Sequence, residues 1–266
     1  MELNQVSSLL KAEIQESMAM LLAGYPMSEM GRLINTLSLN FQGLAICYLL
    51  IDSNRSKFQE NLIRSGHGRL YYLEKSQKEG NDNDRWLSIS RSESILDLIA
   101  AGQLVLAGRL VDLSTAPWKR SNEYEDDYLY FSIIHSQILQ ILGKPVQDVG
   151  NMLNRFAEVL DGASSGRLDV CRALLQKDDD AFFEAMTLLL EQRAEKIEKR
   201  KRIVISGEAI FWPRSFVSIE GVALMNLAQL LNMSVPNEFT NCPRSARCAV
   251  EERIIPNLFA ELEALI

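Results

Sequence analysis

The chain has 266 residues, 47% hydrophobic and 24% charged, a balance that excludes a fibrous or disordered polypeptide and can bury roughly three quarters of the unfolded surface. Its formal charge of −7 and isoelectric point near 5.1 speak against direct binding of nucleic acid, whose phosphates the average field repels, and leave room for a basic partner.

The first residues, MELNQVSSLLKAEIQES, lack the basic and apolar regions of a secretory signal. The longest unbroken apolar stretch, LAICYLLI at 44–51, falls short of the roughly 20 residues of a membrane span. The expectation is a soluble, cytosolic protein without membrane contact.

Taken in chain order, apolar residues recur at helical spacing. Leu9 to Leu22 predict a first helix ending near Gly24-Tyr25-Pro26. Ser28 is expected to cap a second that runs to Asp52-Ser53-Asn54, and Ser56 with Gln59 reads as a capping box for a third, kinked or ended at Gly66-His67-Gly68. LYYL at 70–73 is ambiguous, and Lys75 to Arg85 reads as a surface loop. A second box, Ser90 and Glu93, opens a segment from Ile95 to Leu113 that Pro117 closes.

Helices are expected over Tyr128–Leu142 and through Val149, Leu153, Phe156 and Leu160. A helical hairpin then spans 166–200, with Asp180 as N-cap and a stripe of Phe183, Met186, Leu190, Ala194 and Ile197. A helix from Phe216 to Leu230 and a short one from Pro256 to Ile266 complete the series, and only RIVIS at 202–206 reads as a strand. The pattern predicts an all-α, orthogonal or repeat-like bundle of roughly ten helices. It forms a single domain over 1–266, divisible into subdomains 1–118 and 119–266.

Catalytic machinery is scarce. His67 and His135 are the only histidines, too few for most metal or nucleophile schemes; His67 reads as a turn residue and His135 as a core histidine. Cys47 and Cys171 sit among apolar residues, and Cys242 and Cys248 flank PRSAR without forming a metal knuckle. The common phosphate-binding, esterase and zinc motifs are absent. EDD at 125–127 and DDDAFFE at 178–184 lack the D-D-x-x-D spacing of a magnesium site, and acids at helix starts complement the helix dipole. The basic run EKIEKRKR at 195–202 suits a helix C-terminus. No cofactor or metal is expected. The acidic clusters Glu123, Glu125, Asp126, Asp127 and Asp178, Asp179, Asp180 are candidates for a face that clamps a basic partner.

The segment EAIFWPRSFVSIEGVALMNLA, 208–228, resembles the C-terminal signature of the immunity protein 49 family of bacterial polymorphic-toxin immunity proteins. There a short acidic-apolar-tryptophan segment precedes a helix of form G-x-A-L-x-x-L-A, matched by Gly221, Ala223, Leu224, Leu227 and Ala228. ALLQKDDDAFFEAMTLLL resembles the helical pair upstream, so the likeness covers about the last hundred residues. It implies a non-enzymatic, all-α inhibitor that binds a cognate secreted toxin, often a type VI secretion effector, and blocks its active site. A cytosolic location points to a cytosol-acting toxin, with a nuclease and its basic cleft as the leading expectation. Glu208, Trp212, Pro213 and Gly221 then serve as framework: Trp212 and Pro213 anchor a loop and Gly221 permits close helix packing. Arg214 pairs with Glu208 or Glu220 or faces the toxin. A homodimer is compatible with this reading. The alternatives are a helical scaffold or adaptor, and behind it an all-α enzyme using carboxylate-bound metal.

Overall fold

The computed structural model describes residues 2–146, 148–203, 209–247 and 253–260. Within them lie no strand and the helices α1 (Leu3–Leu22), α2 (Met27–Asp52), α3 (Arg55–Glu79), α4 (Ser94–Ala100), α5 (Leu104–Leu113), α6 (Glu125–Ile141), α7 (Val149–Leu160), α8 (Gly166–Gln176), α9 (Asp179–Lys201), α10 (Phe211–Phe216) and α11 (Ile219–Leu230). Residues 258–260 are helical too, and the rest of the expected last helix beyond 260 lies outside the described residues. The protein is all-α, as its apolar periodicity predicts. Arg202 and Ile203 form a turn, and the rest of the expected RIVIS strand lies outside the described residues, as do Glu208 and Cys248.

The long hairpin of α2 and α3 is the spine, with α1 packed on α2 and with α4 and α5 on α3. Its turn is made by Ser53 in the left-handed region and by Asn54, whose side chain accepts from the Lys57 N–H at 3.0 Å. Asn54 thus caps α3 in place of the expected Ser56 box, because it stands three residues before the orphan N–H it satisfies. Likewise Pro26, not Ser28, precedes α2, and Glu93 stands at the start of α4. Helix α3 continues unbroken through Gly66-His67-Gly68 and LYYL into the expected loop, with Leu98 of α4 packed onto Gly66. His67 is therefore a buried helical residue, not a turn residue. The predicted Ile95–Leu113 helix is split in two at Gly102, which takes a φ of +77°.

Helix α2 contains an 18-residue window of mean hydropathy 1.4, long and apolar enough to cross a membrane by length and composition. Two thirds of that window, 67%, is buried inside the protein, as in the core helix of a soluble one. The same core runs through both halves of the chain: α10 packs on α1 and α2, and α11 packs on α4.

Helix α11 is buried on every side from Gly221 to Ala228. Leu224, Met225 and Leu227 are wholly inaccessible, each worth roughly 1.5–3 kcal/mol against exposure. The one polar side chain among them, Asn226, donates to the carbonyls of Ile99 and Ala100 at 3.0 and 3.3 Å, satisfying orphan acceptors at the end of α4.

A second buried polar seam joins α2, α3 and α4. Asp97 accepts from Gln42 Nε2 at 2.6 Å, and its other oxygen lies 2.5 Å from Ser65 Oγ, which is 3.2 Å from Ser94 Oγ. Burial pushes the carboxyl up to about 7, against the hydrogen bonds from Gln42 and Ser65. In the protonated form Asp97 donates to Ser65 and leaves the single Ser65 proton for Ser94, so every link has a donor.

Candidate partner interface

The structure treats the two acidic clusters differently. Glu123 is buried, and its Oε2 accepts from the Ser90 N–H at 2.9 Å. It holds the 88–91 segment in place and does not face a partner, which corrects the sequence expectation. Glu125 takes a forked pair of hydrogen bonds from Arg155, at 2.7 and 3.1 Å, and these hold its carboxyl below the usual range. Asp126 is half-buried beside it.

Asp127 belongs to a half-buried bridge. Arg167 of α8 donates to Asp127 at 2.8 Å and to Glu220 of α11 at 2.8 Å, with its guanidinium 4.5 Å from the centre of the Tyr130 ring. Burial opposes charge on Arg167, but Glu220 and Asp127 outweigh it and keep the guanidinium protonated. Three of the four acids at 123–127 are thus engaged by groups of the same chain, and this cluster is not a row of free carboxylates.

Arg214 pairs with Glu93 of α4 at 2.9 Å, and Glu220 is taken by Arg167, so the sequence pairing of Arg214 with Glu220 is overturned. Arg193 donates through Nη2 to the carbonyls of Arg214 and Val217, closing the C-terminal end of α10. Trp212 and Pro213 are part of α10 itself, not of a loop. Pro213 stands buried at the third helical position, where its missing N–H costs nothing, and Trp212 meets Phe211 edge-on at 5.4 Å.

Gly221 is explained by the loop that follows α11. A Cβ there would overlap Sγ of Cys242, and Cys242 is wholly buried, free, and turned toward the Ser218 carbonyl. The close approach is therefore between α11 and the 232–243 loop rather than between two helices. Three further contacts fasten that loop: the Ser218 N–H donates to the Asn241 carbonyl at 2.8 Å, Asn241 Nδ2 donates to the Phe216 carbonyl at 2.9 Å, and the Ser234 N–H donates to Asp179 at 3.1 Å.

Seated this way, the loop forms a groove of about 340 Å³ against α9. Phe183, Thr187, Leu190, Glu191 and Ala194 form one helical stripe along one wall, and Glu238, Phe239, Thr240 and Asn241 form the other. Phe183 is 50% exposed and meets Phe239 edge-on at 5.4 Å. Neither Lys nor Arg lines the groove. Asp178, Asp179, Asp180 and Glu184, all exposed, continue the negative surface along the first turns of α9. Asp178 caps the helix through the Ala181 N–H at 3.0 Å, the role expected of Asp180.

Phe183 is the residue that sequence patterning misplaces. The core stripe of α9 is Phe182, Ala185, Met186, Leu189 and Leu190. Adjacent residues on a helix point about 100° apart, so in the pair Phe182-Phe183 only one ring can enter the core. That pairing was the available signal.

The histidines are buried and uncharged. Burial, reinforced by Arg109 and Arg64, brings His67 down to about 4, and burial with Arg69 brings His135 down to about 3. Among the described residues no three His, Cys, Asp or Glu side chains are grouped to hold a metal ion. No family model matches the chain, and neither a curated protein nor a solved structure matches it.

Proposed function

We propose that this protein acts by covering the surface of another protein, as an immunity protein that neutralises a cognate secreted, cytosol-acting toxin. The observation that carries the reading is the groove between α9 and the 232–243 loop. A half-exposed phenylalanine, Phe183, lines it together with two carboxylates, Glu191 and Glu238, and no cation. An aromatic side chain is a common anchor of a binding hot spot, and charged groups at its rim select a partner of opposite sign and speed its approach. A nuclease cleft, built to attract phosphate, is such a surface, and an acidic inhibitor seated in it competes with substrate for the same charges. The likeness of residues 208–228 to the immunity protein 49 signature supports the same reading: Gly221 and the α10–α11 junction hold the loop that forms one wall.

The test is co-expression with a toxic secreted protein, which the reading expects to be encoded beside this chain. The reading expects growth to be restored and the two proteins to co-purify. Substituting Phe183→Ala together with Glu191→Lys and Glu238→Lys is expected to abolish both. Rescue and co-purification undiminished by these changes would remove the groove from the account.

A further inference from the structure

A different part of the molecule carries an inference independent of the partner-binding reading. Between the end of α5, the 114–117 loop, α6 and the 145–146 turn lies a cavity of about 710 Å³. Its walls are mainly apolar: Ile89, Val111, Ala116, Pro117, Leu139 and Val146. Among the polar side chains that also line it, three have an atom without a hydrogen-bond partner: Ser114 Oγ, Ser132 Oγ and His135 Nε2. All three residues are more than nine-tenths buried, at 5%, 6% and 6% exposure.

A buried polar atom left without a partner costs about 1–3 kcal/mol, and native proteins satisfy nearly all of them. Three such atoms on residues that line one cavity, in the size range of small-molecule sites, mark a place where partners are supplied from outside the chain. Ser136, which also lines the cavity, is already used: its Oγ donates to the Ser132 carbonyl at 3.0 Å.

The charge of the lining sets the class of ligand. No Lys or Arg lines the cavity, so an anion finds no counter-charge, and the one lining acid, Asp112, stands exposed at the rim, ion-paired with Lys144 at 2.6 Å. His135 is neutral and therefore presents one donor and one acceptor nitrogen, and each hydroxyl can do both. We infer that the α5–α6 cavity binds a small uncharged molecule with an apolar ring and one edge carrying both a donor and an acceptor, as in a primary aromatic amide or a heteroaromatic lactam. His135, Ser132 and Ser114 bond the polar edge, and Val111, Leu139 and Pro117 enclose the ring.

The test uses the full chain with ¹⁵N-labelled histidine and three probes of one ring size: benzamide, benzoate and benzylamine. Benzamide is expected to move the His135 ring-nitrogen signals saturably while those of His67 stay in place. Benzoate and protonated benzylamine are expected to bind at least ten-fold more weakly. Ala116→Trp, which fills the cavity, is expected to abolish the benzamide shift, and Ser132→Ala, which keeps the shape, to weaken binding five-fold or more. Absence of any saturable shift, equal binding of all three probes, or benzamide binding unchanged in Ser132→Ala would overturn the inference.

Discussion

Gly221 and Cys242 share one space: the thiol occupies the position that a side chain on the first turn of α11 would fill. The helix and the loop that walls the groove are therefore a single packed unit. Gly221→Ala is expected to destabilise the protein by about 1–3 kcal/mol through overpacking, measured as a lower urea midpoint. Cys242→Ala in the same chain frees the space and is expected to recover part of the loss. Additive losses in the double variant would show that the two positions do not compete.

Arg167 is the hub between α6, α8 and α11. Its removal deprives Glu220, which it holds below the ordinary carboxylate range against the opposing effect of burial, of its guanidinium partner. Arg167→Ala is expected to cost about 3 kcal/mol, the lower part of the range for a broken buried pair, because the side chain remains 32% exposed. Arg167→Met with Glu220→Gln, which removes both charges, is expected to cost less than the single change. Equal losses in calorimetry would place the weight on packing instead.

Asp97 and the two histidines impose opposite pH dependences. The Asp97 carboxyl stands at about 7 in the folded chain, above its ordinary value. Between the ordinary carboxylate value and 7 the folded state holds a proton that the unfolded state has released, so stability falls as pH rises through that window. Asp97→Asn is thus expected to stabilise the protein progressively from about pH 4 to pH 7, with a constant advantage above, read from melting temperatures. His67 and His135, lowered to about 4 and about 3, act the other way. The unfolded chain binds their protons first, and stability falls as pH drops below about 6.5. An Asp97→Asn profile parallel to the parent across pH 4–8 would contradict the assignment.

Phe183 is half in solvent, so under the proposed reading its loss is expected to affect binding far more than folding. Phe183→Ala is expected to cost about 1 kcal/mol of stability, chiefly the edge-on contact with Phe239, while weakening partner affinity at least ten-fold. Charge reversal at Asp180, Glu191 and Glu238 is expected to slow association and flatten its salt dependence. Reversal at Glu125, already engaged with Arg155, is expected to leave association unchanged.

How much of this was legible in the chain follows from how local each feature is. Helices such as Val149–Leu160 and the 166–200 hairpin are written in apolar spacing over a few turns, and they form where that spacing predicts. The caps were displaced by two residues, from Ser56 to Asn54 and from Asp180 to Asp178, because neighbouring residues of similar chemistry compete for one orphan N–H. The acids at 123–127 looked open because Arg155 and Arg167 lie 30 and 40 residues away from Glu125 and Asp127, beyond any local pattern. The second wall of the groove comes from Glu238 to Asn241, a loop without periodicity, and no spacing rule places it beside Phe183.

Growth of cells that produce the proposed toxin partner is the most direct measure of the central claim. Cells carrying the parent chain should survive, and cells carrying the folded Phe183→Ala, Glu191→Lys, Glu238→Lys chain should die like those without it. Survival with the altered chain equal to that with the parent, its folding verified by circular dichroism, would contradict protection through this groove.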